Sequence, residues 1–477
     1  MRNAKLPIAG GRGTDYSSAM TPKTRKTIIV IGIVVLVAAL IFYLVLRPTR
    51  AEYTDAQLTG PDPVIAEAEE ETFPSIALAE PAGWAADATP TAAAGLSVVR
   101  FADGLDHPRS VFTLPNGDVL VAETRGPATG DDGGITDWIM GLFMDRVGAG
   151  GVSADRITLL RDSDGDGRAD QRSVLLDGLH SPFGMALRDG RLIVANTDAL
   201  LSFPFEVGQG RITAEPEKLM DLPGGGNHWV RNVLYDPEGD RLFITVGSAS
   251  NVAENGMAEE TGRAAIHEYD FATRTHRLFA VGLRNPNGLA IQPSSGELWT
   301  TVNERDMIGP DVPPDYLTNV PVGAQYGWPW VYWKTYIDER VEAPMPNFLT
   351  EYTRRPEYAL GTHAAPLGLV FADGNGLGGA YDRGAFVARH GSWNRVPKSG
   401  YDVVFVPFDA RGNPQGETPL PVLTGFLTED GEDAHGRPTW LAWDNAGGLL
   451  VSDDTAGIIW RVTGARSSVG AGDEEAR

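Results

Sequence analysis

The sequence predicts an all-β chain, a six-bladed β-propeller preceded by a single N-terminal transmembrane helix. Two observations carry this. One strand–turn–strand pattern recurs six times between Gly104 and Asp453, and a run free of charge covers 28–46. The copies are GLDHPRSVFTLPNGDVLVA (104–122), GLHSPFGMALRDGRLIVA (178–195), GGNHWVRNVLYDPEGDRLFITVG (225–247), GLRNPNGLAIQPSSGELWTTV (282–302), GLVFADGNGLGGAYDRGAFVARHG (368–391) and GRPTWLAWDNAGGLLVSD (436–453). In each, a polar loop leads into an apolar strand, a turn rich in Asn, Asp and Gly, and a second apolar strand. Two strands cannot bury their faces alone, so such units stack, and the repeat spacing leaves room for four strands per blade.

From the N-terminus, residues 1–27 form a basic head, with Arg2, Lys5, Arg12, Lys23, Arg25 and Lys26 against Asp15. The run 28–46 (IIVIGIVVLVAALIFYLVL) is long enough to span a bilayer core as a helix. The heavier basic flank precedes it, which places the C-terminal bulk outside the cytoplasm. The run exceeds a usual signal-peptide core and ends on Phe42, Tyr43 and Leu44 rather than small residues, so a signal anchor is expected. Residues 47–95, rich in Pro, Ala and Glu, read as a disordered acidic tether. The propeller is expected over 96–464 and a disordered tail over 465–477. One helix is expected near TDWIMGLFMDR (136–146), its apolar residues suiting either a channel cap or a membrane surface.

There is no cysteine, so an exported chain must be held by burial alone. The formal charge of −23 argues against nucleic acid and anionic lipid as partners. HExxH, GxSxG and a strand-to-helix glycine fingerprint are all missing, which removes support for zinc proteolysis, the serine-hydrolase elbow and a nucleotide fold.

In a propeller the residues just ahead of each inner strand converge on the top of the channel. They are His107 and Arg109, His180, His228 and Arg231, Arg284 and Asn285, and Arg437. His228 lies in GGGNHWVRN, where glycines permit close backbone approach and an imidazole can take a proton near neutral pH. Arg231, Arg284, Arg395, Lys398 and Arg437 form a set of cations suited either to an anionic ligand or to salt bridges with neighbouring acids. Carboxylates alternate in Asp162-Ser-Asp164-Gly-Asp166-Gly-Arg168-Ala-Asp170, the manner in which a short loop wraps calcium. Position twelve is Ser173 instead of Glu, so Asp170 would close the shell, and a structural role is expected of this ion.

Six segments, GLRNPNGLA, NHWVRNVLYDPEG, TVNERD, QYGWPW, HGSWNR and GRPTWLAWDNAG, resemble the pyrroloquinoline quinone (PQQ)-dependent sugar dehydrogenases, in particular the L-sorbosone dehydrogenase-like branch. The resemblance runs from about residue 96 to 464. It implies a six-bladed propeller with PQQ flat at the channel top and calcium beside it. It places the general base at His228, taking a hydroxyl proton while hydride passes to the quinone. Arg284 and Asn285 face the reduced quinone oxygen, and Arg437 faces the cofactor's carboxylates. The calcium-binding backbone falls on Glu304 and Arg305. Asn227, Glu304-Arg305 and Asn287 replace the Asp, Gly-Pro and Gln of soluble glucose-oxidising members, and match the sorbosone-like branch.

The expected function is a membrane-anchored quinoprotein of the inner (cytoplasmic) membrane, its propeller facing the periplasm or cell exterior. It would oxidise an aldose, a sorbosone-like ketoaldose or a related polyol and pass electrons to a membrane quinone or cytochrome. The alternatives are a calcium-dependent lactone hydrolase and a non-catalytic binding propeller.

Overall fold

The computed structural model describes residues 22–46, 49–72, 75–127, 146, 148, 150–372 and 377–464. The chain divides into two compact units, Met1–Arg47 and Pro48–Arg477.

In the first unit the helix is Pro22–Leu46, which contains the apolar run. Among the described residues no helix is long and apolar enough to cross a membrane. The helical part of the expectation is present, and its spanning role gets no support from the structure. The short helix expected at 136–146 lies outside the described residues, save Arg146, as does the tail after Gly464.

The second unit is a six-bladed β-propeller. Its innermost strands are Pro108–Thr113, Met185–Arg188, Val233–Asp236, Asn285–Ile291, Pro366–Phe371 and Pro438–Trp443, each starting an antiparallel sheet of four or five strands. Each inner strand neighbours the next around the ring, and the sixth returns to the first. The walls are tight. A Cβ added at Gly184, Gly288 or Gly368 would meet the backbone of the neighbouring inner strand, which explains glycine at this point in three of the repeats. The inner strands line a cavity of about 460 Å³, walled by residues such as Phe112, Met185, Tyr235, Leu289, Leu369 and Trp443. The hydrophobic core lies mostly between blades. Leu120 and Leu159 of blade 1 pack with Met185 and Val194 of blade 2, for example.

The ring closes with a strand from the N-terminal side. Leu96–Ala102 pairs antiparallel with Ile458–Gly464 as the outermost strand of blade 6, joining two distant parts of the chain. Burial at this seam is complete for Ile459, Trp460 and Val462.

The disordered tether expected at 47–95 is corrected by the structure. Its described residues form an ordered strap on the propeller. Thr59–Gly60 adds an outer strand to blade 4, and Thr91–Ala92 adds one to blade 5. Leu58 and Ala79 are fully buried. The segment is too poor in large apolar residues to build its own core. It needs none, since its few apolar residues enter the propeller's core and its backbone N–H groups pair with exposed sheet edges.

Candidate active site

Antiparallel pairing places the start of each inner strand beside the end of the second strand. Asn285 pairs with Asn303, Pro438 with Asp453 and Pro108 with Glu123. The loops preceding the inner strands and those joining second to third strands therefore share one rim of the channel. Two polar groups stand there.

The first spans blades 3, 4 and 5. His228 is half-buried, and its Nδ1 lies 2.8 Å from the Ser248 carbonyl oxygen and 3.0 Å from Ser248 Oγ. A carbonyl only accepts, so Nδ1 carries the hydrogen and Nε2 keeps its lone pair. The Ser248 hydroxyl donates onward to the Ser250 carbonyl at 2.6 Å. Burial, and then the charge of Arg284, lower the His228 pKa to about 3, so the ring is neutral at physiological pH. Gly247 lies between this ring and Asn285, where a Cβ would collide with both, and its bare backbone lets the two side chains close together.

Arg284 is buried and held from four directions. Its Nη1 donates to the Glu304 carbonyl (2.5 Å), Nη2 to Asn251 Oδ1 (2.8 Å) and Asp306 Oδ2 (3.2 Å), and Nε to the Asn251 carbonyl (3.2 Å). Asp306 Oδ1 faces Asn394 Nδ2 at 3.1 Å and His363 Nδ1 at 3.3 Å. Burial alone would raise the Asp306 pKa. His363, Arg284 and His228 outweigh it and hold the carboxyl at about 2.

The second group joins blades 5, 6 and 1 around a carboxylate. Asp454 Oδ2 accepts from Arg109 Nη1 at 2.5 Å and His390 Nε2 at 2.9 Å, with His107 Nε2 at 3.7 Å. Burial opposes its charge, but the facing histidines and Arg109 hold its pKa well below the usual range. Arg437 donates to the Tyr401 hydroxyl at 2.9 Å and lies over that ring, with no ion pair among the described residues. Four buried atoms here lack a partner among the described residues: Arg109 Nε, Arg437 Nε, His107 Nδ1 and Asp454 Oδ1.

Several expected ligand residues are committed elsewhere, and these are corrections. Arg231 is fully buried and donates to the carbonyls of His228 and Val230 (both 2.8 Å) and Pro223 (2.5 Å), cinching the loop that carries His228. Arg395 donates to the carbonyls of Pro310, Pro397 and Tyr53 and to Asp311, a knot between the strap and blades 4 and 5. Lys398 Nζ donates to the Gly431 carbonyl at 3.1 Å. At Glu304 and Arg305, where the resemblance puts the calcium-binding backbone, the Glu304 carbonyl accepts from Arg284 and the Glu304 carboxylate from Arg305 at 3.0 Å. The Arg305 guanidinium also donates to the carbonyls of Pro329 and Val331. His180 pairs with Asp198 at 2.9 Å, half exposed in blade 2.

In the acidic loop, carboxylate oxygens of Asp162, Asp164 and Asp166 lie within 4.8 Å of one another. Asp170 turns instead to the Ser163 hydroxyl and backbone N–H. The loop joins Arg156–Arg161 to Gln171–Leu176 at the end of blade 1 opposite the rim, so an ion held there would be remote from His228.

Sequence reasoning missed Asp306, His363, His390, Asn394 and Asp454. All follow second strands or precede the fifth inner strand, and TVNERD, HGSWNR and VSDD at equivalent strand ends were the available signal.

The TrAA12-like family model matches residues 147–314 and 346–465, well over half of the chain. A pyrroloquinoline quinone-dependent pyranose dehydrogenase of Coprinopsis cinerea is 27% identical over 336 residues, covering 58% of this chain and 45% of that protein. An uncharacterized protein of Borreliella burgdorferi is 29% identical over 239 residues, covering 49% and 60%. An aldose sugar dehydrogenase of Escherichia coli is 26% identical over 272 residues, covering 52% and 64%. The chain thus spans about half the length of the curated relatives it matches. Among solved structures, a Trichoderma reesei carbohydrate-active enzyme of family AA12 superposes with a TM-score of 0.63 at 20% identity, covering 79% of this chain and 97% of that one. The holo form of the C. cinerea pyranose dehydrogenase PQQ domain gives 0.61 at 22% identity, covering 81% and 100%. These two likenesses concern the fold.

Proposed function

Given that the chain belongs to the TrAA12-like family, we propose that it is a PQQ-dependent sugar dehydrogenase. The substrate class is an aldose, a sorbosone-like ketoaldose or a related polyol, as in the L-sorbosone dehydrogenase-like branch. One observation carries the reading. A neutral histidine with a free Nε2 lone pair shares a rim with buried cations, of which Arg437 has no acidic partner among the described residues.

The donor set fits a quinone bearing three carboxylates. The buried Nε atoms of Arg109 and Arg437 have no acceptor among the described residues, and carboxylates are what guanidiniums bind best. When bound, PQQ supplies the two-electron acceptor for the hydride that leaves the substrate carbon. The protein's share is orientation and proton removal. His228 Nε2 takes the proton of the substrate hydroxyl, and the Ser248 carbonyl, already hydrogen-bonded to Nδ1, stabilises the imidazolium that results. Arg284 opposes that charge in the unloaded site, while Asp306 favours it. An anionic ligand on Arg284 offsets the guanidinium and makes His228 a stronger base.

Calcium is proposed at Asp162, Asp164 and Asp166 as a structural ion. The sequence also supports an inner-membrane anchor over 28–46, with the propeller facing the periplasm or exterior and a membrane quinone or cytochrome receiving the electrons. A lactone hydrolase is disfavoured because the carboxylates of Asp306 and Asp454, at the centres of the two polar groups, are already paired with cations.

The test is a calorimetric titration of the purified chain with PQQ. Wild type should bind, and Arg284→Ala should bind more weakly by about 2 kcal/mol or more, the cost of removing one side of a buried charged contact. No uptake of PQQ by wild type would leave the non-catalytic binding propeller as the better reading.

A further inference from the structure

The strap reaches the rim loops of blades 4, 5 and 6, in each case within two residues of Asp306, Asn394 or Asp454. At blade 4, the Glu71 N–H donates to the Met307 carbonyl at 3.1 Å, next to Asp306, and the Glu69 N–H to the Ile308 carbonyl at 3.0 Å. At blade 5, the Ala77 N–H donates to the Trp393 carbonyl at 2.7 Å, next to Asn394. At blade 6, Trp84 Nε1 donates to Asp453 Oδ2 at 2.9 Å, next to Asp454. Asp453 in turn accepts the backbone N–H of Arg437 on Oδ1 at 2.8 Å.

The blade 6 contact is built most heavily. The Trp84 ring packs on His435 at 5.1 Å, Trp460 at 5.3 Å and Phe426 at 5.5 Å between centroids. On either side, the Ala82 N–H donates to the Ala434 carbonyl and the Ala434 N–H to the Glu80 carbonyl. Trp84 thus shares with Trp460, whose Nε1 donates to the same Asp453 oxygen at 3.2 Å, the anchoring of the carboxylate that fixes the start of the Arg437 strand and the loop carrying Asp454.

We propose that the strap, residues 50–72 and 75–84, is a positioning element of the site. It clasps the three rim loops that present Asp306, Asn394 and Asp454, and Trp84 sets Arg437 and Asp454 through Asp453. Rigid presentation matters because hydrogen-bonded charges lose their effect when their support loosens by a fraction of an ångström. Its consequence for ligand binding rests on the PQQ reading above, whereas its consequence for the unloaded protein does not.

The experiment uses Trp84→Phe in the full chain, which keeps a stacking ring and removes the indole donor. Three quantities are measured: the melting temperature, the nitrogen resonances of His390 in the unloaded protein, and the PQQ dissociation constant. The chain holds only eight histidines, so these signals can be assigned by substitution. Expected are a small change in melting, a displaced His390 titration midpoint, and PQQ affinity weakened about 5- to 10-fold. A lower melting temperature with His390 and PQQ affinity both unchanged would reduce the strap to fold stabilisation and overturn the proposal. If wild type takes up no PQQ, the functional reading falls, and the His390 signal alone still decides for or against positioning. Should Trp84→Phe not fold, Ala77→Pro removes the blade 5 donor, and a displaced side-chain amide signal of Asn394 supports the clasp where an unmoved one refutes it.

Discussion

His228 and His107 are both neutral at pH 7 for the same first cause, burial, yet they are built for different work. His228 offers Nε2 with Nδ1 satisfied by Ser248, whereas His107 is buried with Nδ1 unpartnered and Nε2 turned to Asp454. The expected result for His228→Gln is retained PQQ binding with dye-reducing activity on aldose or sorbosone-type substrates reduced about 10²- to 10⁴-fold. Steady-state assays of PQQ-loaded enzyme check it, and near wild-type turnover would remove His228 from the mechanism. His107→Gln should keep most activity but change the pH dependence of stability. Its folded pKa is lowered to about 4, first by burial, with Asp454 opposing and Arg109 adding to the shift. A depressed folded value means stability present above the unfolded pKa of about 6.5 and lost as pH falls through 4. The amount at stake is on the order of 3 kcal/mol. Urea unfolding at a series of pH values should show a flatter acid limb in His107→Gln between pH 6.5 and 4. The sequence placed both histidines at the rim and the resemblance singled out His228 as base, whereas tautomer and partner depend on Ser248 and Asp454, residues that follow other strands.

At the scale of the element, the Asp162–Asp170 loop is a hairpin tip whose three clustered carboxylates repel one another unless a cation intervenes. Chelator should therefore lower the melting temperature of wild type, since a ligand bound only to the folded state stabilises it. The pair Asp164→Ala and Asp166→Ala should abolish that response and leave PQQ affinity unchanged. A melting curve insensitive to chelator would make the loop an acidic turn without an ion. The loop was legible as a candidate because its ligands are local in sequence. Asp170 instead accepts from the backbone N–H and hydroxyl of Ser163 within the same turn. The strap shows the opposite limit. Its composition is that of a linker, and only the exposed edges of blades 4 and 5 give it structure.

At the scale of the whole molecule, the ring depends on a strand from outside the six repeats. Removing everything before Asp103 would expose the edge of Ile458–Gly464 and the seam around Trp460. Such a chain should melt lower by about 10 °C or more, and a peptide of residues 95–102 added in excess should restore part of the loss by binding that edge. Equal melting with and without the strand would mean that inter-blade packing alone closes the ring. What the sequence by itself determined is what is local and repeated: the six strand–turn–strand units, and the placing of His228, Arg284 and Arg437 ahead of inner strands. Periodicity and turn chemistry act over a few residues and are written directly in the chain. Tertiary structure decided the rest: the closure by Leu96–Ala102, the ordering of the strap, the burial of Arg231 and Arg395 as fold residues, and the carboxylates of Asp306 and Asp454 at the rim. A buried charge takes its role from whichever partners the fold brings within about 3 Å, and the charged partners of Asp306, Asp454 and Arg395 lie tens to hundreds of residues away in sequence.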